Sequence, residues 1–375
     1  MRLSRTLSWY LAREVLEYTG LGFLAFSTIL VTQNLLRRLD DLVAVGFRSE
    51  DLFAVLGFLM AMLTAYAVPV AFLFGILLAV GRLSADSEIT AMRACGLGMR
   101  HLVAPVLVLG IAVSALTATL MIRSEPAARL ALRTLFRNVA ARGAILQAGK
   151  FQTLGNRVVF VQSRDRDNNL QGVMISDRSD PERPFVVFAE SGRFIFDDEH
   201  SMVRMELEHG DMHLGESDAA DPHHRRIAFE HLDYSFDAKS LFDPDGGQTR
   251  PAEMSMRELR RILRRAAAGI SLKGLHEDNP VEYELQVQRR LALPLAPILF
   301  ALVGVPLGLR RSRGARSWGA LLCVAIVFIY YALLSLAQFL VESLHVPAAL
   351  ALWLPNVVFA ASAVPLLRRA SRGEI

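Results

Sequence analysis

Apolar residues in this chain are concentrated in six long blocks and are not scattered in the short periods typical of a soluble domain. Each block is close to the roughly 20 residues that a helix needs to cross a bilayer core about 30 Å thick. A polar stretch of about 170 residues, enough for one folded domain, separates the third block from the fourth. The blocks cover residues 16–36, 53–80, 102–122, 291–309, 318–340 and 347–367.

The polar stretch contains short runs typical of β-strands. Residues 201–210 alternate apolar and polar side chains. A later run, 225–236, changes phase between Phe229 and Leu232, which predicts a β-bulge. Regularly spaced short strands favour a sandwich or jellyroll arrangement. Three further runs, rich in β-branched and aromatic residues, cover residues 157–162, 170–176 and 184–190.

The pattern therefore predicts an α-helical membrane protein with six transmembrane helices and an inserted all-β, jellyroll-like periplasmic domain. The expected N-terminal transmembrane half covers residues 1–122 and the C-terminal half covers residues 279–375. Between them, residues 123–278 are expected to form the β domain with a trailing helix.

Two helices are expected between the last strand and the fourth block. Ser255 and Glu258 match a capping box and open a helix to about Ala268. Asn279 and Pro280 suit the start of a second helix, which is predicted to run unbroken into the fourth span. The first helix has a basic side, which indicates a solvated charged face or, alternatively, contact with anionic lipid headgroups. Its arginines are Arg257, Arg260, Arg261, Arg264 and Arg265.

Composition and charge orient these elements. Hydrophobic residues make up 53% of the chain and the mean hydropathy is +0.33, too apolar for a soluble domain of this size. Arginines concentrate in the loops on the same side as both termini, so the positive-inside rule places that side in the cytoplasm. The first block lacks a clear cleavage site and is interpreted as a retained span. Cys95 and Cys323 are expected in a loop and a span, which excludes a disulfide between them.

The chain carries no signature of an enzyme. Residues 143–151 resemble a P-loop only loosely, because the glycines are one residue too far apart and Phe151 replaces the Ser or Thr that binds magnesium. No metal site and no bound cofactor are expected, since a cluster of histidines and aspartates has no spacing typical of zinc ligands. The cluster contains His209, Asp211, His213, Asp221, His223 and His224.

A polar island at residues 84–97 lies between the second and third blocks. Ser84 is a possible N-cap for a short helix, Asp86 and Glu88 suit its positive end, and Gly96 can end it. A helix of about 11 residues is marginal alone in water, so it needs a surface to dock on, either its own protein or a partner. An apolar strip at helical spacing is formed by Ile89, Met92 and Cys95.

Arg37 and Arg38 end the first span and admit two interpretations. Their side chains can snorkel to the interface, as any arginine at the end of a span can. Alternatively, they form a pair of cations for an anionic lipid, since the guanidinium fork matches phosphate.

Three segments resemble the lipopolysaccharide-export permeases of the LptF/LptG family: residues 87–98 (SEITAMRACGLG), 289–310 and 346–369. The order of three spans, a β domain and three spans is also similar to that family. The amino-acid sequence of the first segment resembles the F-type subunit more than the G-type.

The resemblance implies one half of a heterodimeric core in the bacterial inner membrane, paired with a G-type permease subunit and a cytoplasmic ABC ATPase dimer that binds ATP and magnesium. The β domain would join a periplasmic jellyroll bridge protein. The cargo would be lipopolysaccharide, drawn from among the membrane lipids, and no nucleic acid is implied. The loop would be the coupling helix, with Glu88 as its acidic contact. The residues expected to bind the ATPase are Ser84, Asp86, Glu88, Ile89, Met92 and Arg93.

The resemblance also implies lipid-binding residues. Arg37 matches a basic residue of the family at the end of span one, whereas Asn34 stands where F-type subunits carry a second one. Arg38 can substitute, but its direction on a helix differs from that of Arg37 by about 100°. Inward-facing side chains of the β domain would line a shielded lipid path or form an ordinary core. They include Val159, Val161, Val173, Ile175 and Val187.

Two other functions remain open from the residues. One is a membrane-anchored scaffold or tether that binds a periplasmic partner without transport. The other is an ion-coupled secondary transporter, which requires ionisable residues inside the spans. The centres of the predicted spans contain almost none, which makes this second function less favoured.

Overall fold

A computed structural model of the chain gives the fold. It describes residues 2–37, 49–139, 148–154, 156–165, 169–179, 184–197, 202–214, 225–237, 249–270, 272, 275, 279–309 and 315–372.

Six described helices are long and apolar enough to cross a membrane, which confirms the predicted number of spans. They extend beyond the apolar blocks because the helical hydrogen-bond pattern continues into polar flanking residues. They cover Thr6–Arg37, Glu50–Ala85, Met99–Phe136, Pro280–Gly308, Trp318–Leu344 and Ala348–Arg372.

The helices before the sheet are α1 (Arg2–Arg37), α2 (Ser49–Ala85), α3 (Glu88–Ala94), α4 (Met99–Thr119) and α5 (Glu125–Val139). A π-helical turn, Leu120–Ser124, joins α4 to α5 directly. The third span and the residues after it therefore form one long helix. The short helix α3 occupies the polar island between α2 and α4.

The helices after the sheet are α6 (Met256–Ala267), α7 (Pro280–Ala292), α8 (Ala296–Gly308), α9 (Ala315–Leu344), α10 (Ala348–Ala351) and α11 (Leu354–Arg372). Both predicted N-caps are confirmed, since Ser255 and Glu258 form a capping box and Asn279 accepts a hydrogen bond from a backbone N–H. The predicted continuation of the second helix into the fourth span is confirmed, since Pro280–Gly308 form one helical segment. Within it, a 3₁₀ turn containing Pro294 separates α7 from α8, because proline lacks the N–H that the α-helical ladder needs.

The strands are β1 (Phe151–Leu154), β2 (Arg157–Arg164), β3 (Asn169–Asp177), β4 (Phe185–Asp197), β5 (Met202–Leu214) and β6 (Arg225–Asp237). They form one antiparallel sheet in which each strand pairs with the next along the chain. The five predicted strand runs are therefore confirmed, and β1 was not foreseen. The jellyroll-like domain is built on this meander.

A crease crosses the sheet from β2 to β6. Val161 pairs with Val173 and Ser163 pairs with Gln171, while the residue between on each strand is left out of the pairing. The same happens between each following pair of strands, and the register is identical on both sides. The inward-facing position therefore shifts by one residue across the crease. The crease residues are Gln162, Gly172, Glu190, His209 and Glu230.

The predicted phase change between Phe229 and Leu232 is confirmed, but a β-bulge is the wrong explanation. A bulge places an extra residue in one strand only. Here Phe229 pairs with Gly210 and His231 pairs with Glu208, so both strands leave one residue unpaired and the register is unchanged.

One buried cluster, the sheet interior, contains residues from both sides of the crease. Leu170 and Leu207 lie on one side of it and Val173 and Val187 on the other. Side chains from both sides of the crease thus share one buried interior. The sheet interior consists of Val159, Val161, Leu170, Val173, Ile175, Val187, Ala189, Met205, Leu207 and Tyr234.

Contacts divide the chain into two compact units. The helical unit contains Met1–Leu35, Gly57–Leu130 and Arg250–Ile375, and the sheet unit contains Leu36–Leu56 and Ala131–Thr249. Helix α6 thus belongs with the helices, although it was assigned to the β domain from the sequence. The domain boundaries at residues 122 and 278 stay predictions.

Replacing Gly75 by alanine should destabilise the helical unit. An added Cβ would lie 2.7 Å from the Val15 carbonyl oxygen and 2.8 Å from the Thr19 nitrogen, so α1 must move away from α2. We expect a loss of about 1–3 kcal/mol and a lower midpoint of thermal unfolding in detergent.

Gly57→Ala is the matched control, because it lies on the same helix with no atom within 4 Å of an added Cβ. This variant should unfold at the wild-type temperature or slightly above it, since alanine favours a helix over glycine. Equal midpoints for the two variants would show that the α1–α2 approach does not limit stability.

Candidate functional site

Helix α3 is attached to the helical unit by its apolar side. Ile89 is buried in a cluster that includes Leu11 of α1, Leu83 of α2 and Leu102 of α4, and Met92 packs on it in part. Ile89 therefore faces the helical unit, and Met92 does so in part. The observed helix has seven residues, shorter than the island of residues 84–97.

The prediction that Ser84 caps this helix is wrong. Ser84 lies within α2, and its hydroxyl donates a hydrogen bond to the Leu309 carbonyl at 2.9 Å. The N-cap position is Ser87, which has a positive φ and forms no side-chain cap. The end of the helix near Gly96 is as predicted, since this glycine has a φ of +82° after the Cys95 C-cap.

Polar contacts tie α3 and the end of α2 to α1. The hydroxyl of Tyr10 donates to Glu88 at 3.2 Å. The guanidinium of Arg82 forms an ion pair with the buried carboxylate of Glu14 and lies 3.4 Å from Asp86. Both acidic residues of the loop are thus connected to the first helix, one directly and one through Arg82.

Arg93 ties the other end of α3 to the last helix. Its Nη2 donates to the Ala370 carbonyl at 2.8 Å and lies 3.9 Å from the sulfur of Met99. The outward side of the loop is small and uncharged apart from Asp86. It consists of the exposed residues Ala85, Asp86, Ser87, Thr90, Ala91, Ala94 and Cys95.

An apolar groove of about 640 Å³ lies between the start of α1 and α3. The groove is open to its surroundings and its lining is mostly apolar. The Tyr10–Glu88 contact joins its two walls, α1 and α3. The lining residues are Thr6, Leu7, Tyr10, Ala91, Met92, Cys95 and Leu97.

Arg37 is exposed at the end of α1, and Arg38 lies outside the described residues. Asn34, where a second basic residue was expected from the resemblance, donates its side-chain amide to the Leu30 carbonyl at 2.9 Å. Arg37 is thus the cation that the described part of this helix end offers. Most of α1 is unburied, with only 17% of its most apolar window inside the protein.

The side chains proposed to line a lipid path are all buried in the sheet interior. Val159 and Val161 are 1% exposed, and Ile175 and Val187 are fully buried. In this structure they form an ordinary closed core. A lipid could reach them only after part of the sheet has moved.

Three polar side chains close one end of the sheet interior. Arg157 Nε donates to Asp177 at 2.8 Å and to the Tyr234 hydroxyl at 2.9 Å, and that hydroxyl donates to Asp177 at 2.5 Å. β6 is not a neighbour of β2 or β3 in the sheet, so this triad, the latch, joins β6 to two strands with which it shares no backbone hydrogen bonds.

The latch holds Asp177 ionised. Burial alone raises the pKa of this carboxyl, but hydrogen bonds from Ser179, Tyr234 and Arg157 outweigh it and lower the pKa to about 2. Burial and then the hydrogen bond to Asp177 raise the pKa of Tyr234 against the opposing effect of Arg157, so its hydroxyl keeps its proton. Sequence reasoning missed the latch, although inward-facing Arg157 and Asp177 at strand ends could have indicated it.

The histidine and aspartate cluster is only partly described. Asp211 forms a bidentate ion pair with Arg226 at 2.6 and 2.9 Å, and His213 lies edge-on to Phe188. Asp221, His223 and His224 lie outside the described residues. Within the described ranges, no group of three or more His, Cys, Asp or Glu residues could hold a metal ion.

A buried charged group lies among the helices, just beyond the third apolar block. Glu125 is 3% exposed, accepts from the Tyr66 hydroxyl at 3.1 Å and pairs with Arg129 at 2.6 Å. Arg289 stacks over the Tyr66 ring, 5.6 Å from its centroid. The carboxylate is thus fully compensated, as a buried charge must be.

Removing the latch should make the stability of the sheet depend less on pH under acidic conditions. The folded pKa of Asp177 lies below its ordinary value of 3.8, so its stabilisation is present above about pH 4 and is lost as the pH falls towards 2. Asp177→Asn should cost about 2 kcal/mol at neutral pH and little at pH 2. Urea-dependent pulse proteolysis by pepsin within residues 151–237, compared between pH 2 and 4.5, measures this.

Asp211→Asn is the control, because the exposed ion pair of Asp211 with Arg226 contributes little to the free energy of unfolding. If both variants show the same dependence on pH as the wild type, Asp177 does not stabilise the sheet.

The family description "Lipopolysaccharide export system permease LptF/LptG" matches residues 9–369. The lipopolysaccharide export system permease protein LptF of Escherichia coli strain K12 is 29% identical over 188 residues, which are 49% of this chain and 51% of that protein. The LptF protein of Shigella flexneri matches equally. The match thus spans about half the length of these curated relatives, whereas the family description covers nearly the whole chain, and the chain belongs to the LptF/LptG family of lipopolysaccharide export system permeases.

Proposed function

We propose that the chain is a non-catalytic permease subunit that takes lipopolysaccharide from the inner membrane and passes it towards a periplasmic bridge protein. A separate cytoplasmic ATPase dimer, which holds ATP and magnesium, drives the transport. The family match over residues 9–369 is the observation that carries this proposal. The F-type assignment is supported by the relatives matched, which are LptF proteins.

The free energy needed to remove a lipid from the membrane requires a transporter of this kind. Each buried methylene is worth about 0.8 kcal/mol, so a lipid with six acyl chains represents tens of kcal/mol of burial in the membrane. Transfer is feasible only if the chains move from one apolar environment to another. The sheet interior supplies an apolar environment of this kind outside the spans.

The lipid path through the sheet unit then depends on the latch. Val159, Val161, Ile175 and Val187 become accessible to acyl chains when β6 separates from the ends of β2 and β3, since the latch joins these strands without backbone hydrogen bonds. Separation there leaves the ladders between neighbouring strands intact. The latch thereby sets how readily the interior opens.

Helix α3 serves as the coupling helix, with its outward side against the ATPase. Its inner contacts, Ile89, Met92 and Arg93, transmit the movement because they fix it to the bundle. Glu88 and Asp86 link it to α1 through Tyr10, Arg82 and Glu14.

Helix α1 then carries this movement across the membrane. It is one continuous helix from Arg2 to Arg37. Glu14 and Arg37 are 23 residues apart, and at 1.5 Å per residue this is about 35 Å, enough to cross the hydrocarbon core. Movement of α3 against the ATPase is thus conveyed to the arginine that we assign to the lipid phosphate.

The exposed surfaces of the span helices and of the edge strand β6 are the expected sites of partner contact. The apolar windows of the first, third and fifth spans are only 17%, 28% and 28% buried, which supports contact with a G-type permease subunit and with lipid on these helices. β6 lies at the end of the described sheet, and a strand edge of 13 residues suits pairing with a strand of the bridge protein. The arginine distribution supports a cytoplasmic position for both termini and a periplasmic position for the sheet.

Among the described residues, the buried carboxylate of Glu125 would favour an ion-coupled transporter. Its carboxylate is occupied by Tyr66 and Arg129, and a proton carrier needs a carboxylate that can exchange with water. We therefore assign this group to the packing of the helical unit.

Glu88→Gln should uncouple ATP hydrolysis from transport. The loss of charge weakens the Tyr10 contact and the acidic contact with the ATPase, so less ATPase should co-purify and ATP-dependent release of lipopolysaccharide from proteoliposomes should fall about tenfold or more. Glu17→Gln is the control, since Glu17 forms an exposed pair with Arg13 on the same helix as Tyr10. Normal co-purification and release by Glu88→Gln would refute the coupling role of this residue.

Arg37→Gln should impair lipid loading more than assembly. A charge-assisted contact to phosphate is worth about 1.5–3 kcal/mol, so crosslinking of lipopolysaccharide to a photoreactive group at Leu36 should fall about tenfold or more. Arg13→Gln removes an exposed arginine at the other end of the helix and should leave crosslinking unchanged. The lipid role of Arg37 is excluded if the two variants crosslink equally.

A further inference from the structure

Helix α6 is fixed against the start of the fourth span by its apolar side. Leu259 is fully buried and Ile262 is 7% exposed, and both belong to a cluster with Tyr283 and Val287 of α7. The remaining face of the helix is turned away from α7. Its orientation about its own axis is therefore set by packing.

A buried arginine fixes the start of α6 as well. Arg290 of α7 is 1% exposed and donates to the carbonyl oxygens of Met254 at 2.6 Å and Ala252 at 2.8 Å. The capping box of Ser255 and Glu258 follows directly after these carbonyls. The helix is thus held at its first turn and along its length.

The outward face of α6 is strongly basic, with five arginines against a single acidic residue. Glu258 is the single acidic residue of the helix, and its carboxylate accepts from the Ser255 N–H at 2.8 Å. Like charges three and four residues apart repel one another, so the face is favoured by an external anion. Within the described ranges, no hydrogen bond or ion pair holds any of its five exposed arginines: Arg257, Arg260, Arg261, Arg264 and Arg265.

The depth of α6 follows from the residues that it packs on. The apolar run of the fourth span begins at Leu291, four residues after Val287 and eight after Tyr283. At 1.5 Å per residue these contacts lie about 6 and 12 Å outside the apolar run. The headgroup layer extends about 5–8 Å beyond the hydrocarbon core, so α6 lies at or just above the headgroups.

We infer that the basic face of α6 binds the phosphate groups of anionic phospholipids in the leaflet from which the fourth span starts. The depth of the helix favours a lipid over a protein partner, because long arginine side chains reach the phosphates from a helix at or just above the headgroups. The guanidinium fork suits phosphate in geometry as well as charge. This contact anchors the segment between the sheet and the fourth span to the membrane surface, separately from the transported lipid.

The test uses the full chain in nanodiscs of phosphatidylcholine, with and without 30% phosphatidylglycerol, and measures amide hydrogen exchange. Phosphatidylglycerol should slow exchange in residues 256–267 by about fivefold for each arginine that engages a phosphate. The effect should shrink at high salt. The variant Arg261→Gln with Arg264→Gln should lose most of it.

The control variant, Arg204→Gln with Arg225→Gln, removes the same charge from two exposed arginines of the sheet and should keep the effect. Equal exchange in the two kinds of nanodisc overturns the proposal. So does protection that appears only when lipopolysaccharide replaces phosphatidylglycerol, since the phosphate would then come from the transported lipid. Protection by an acidic protein partner but not by phosphatidylglycerol also refutes it.

Discussion

Close approach of helix backbones at glycine is the constraint on which the helical unit depends. In a bilayer the hydrophobic effect does not drive helix association, so packing at small residues has to replace it. Gly75 of α2 faces the backbone of α1, and Gly304 and Gly308 of α8 face side chains of α2. Gly110 of α4 faces the Pro297 carbonyl on α8. The contacts of Gly75, Gly304 and Gly308 place α2 at the centre of the helical unit. Helix α3 follows α2 directly in the chain, so its position depends on that of α2.

The parts of the fold that depend on local sequence patterns could be predicted from the sequence. The six spans follow from hydropathy, and the caps at Ser255 and Asn279 follow from side-chain chemistry within three residues. Five of the strands follow from β-branched and aromatic runs. The phase change in β6 was also visible, but its cause was not, because an isolated strand does not reveal that its neighbours change phase at the same level.

The candidate site was less predictable because its contacts join distant residues. Ser84 looked like a helix cap, yet its partner Leu309 is 225 positions away. Tyr234 reaches Arg157 across 77 positions, and nothing in either strand alone signals the other. Glu125 lies just beyond the third apolar block, where a charge is expected to be solvated, and only the continuation of the helix places it against Tyr66. The choice of Glu88 as a contact was made from the resemblance, whereas its bond to Tyr10 came from the structure.

The crease limits how the sheet can change during evolution. Each strand from β2 to β6 gives up one pairing position at the same level, so the two halves of the sheet stay aligned. A deletion or insertion inside one strand would shift that strand against both neighbours and turn half of its apolar side chains outwards. Length variation among related sheets is therefore expected in the connecting loops, while the strands conserve the number of residues on either side of the crease.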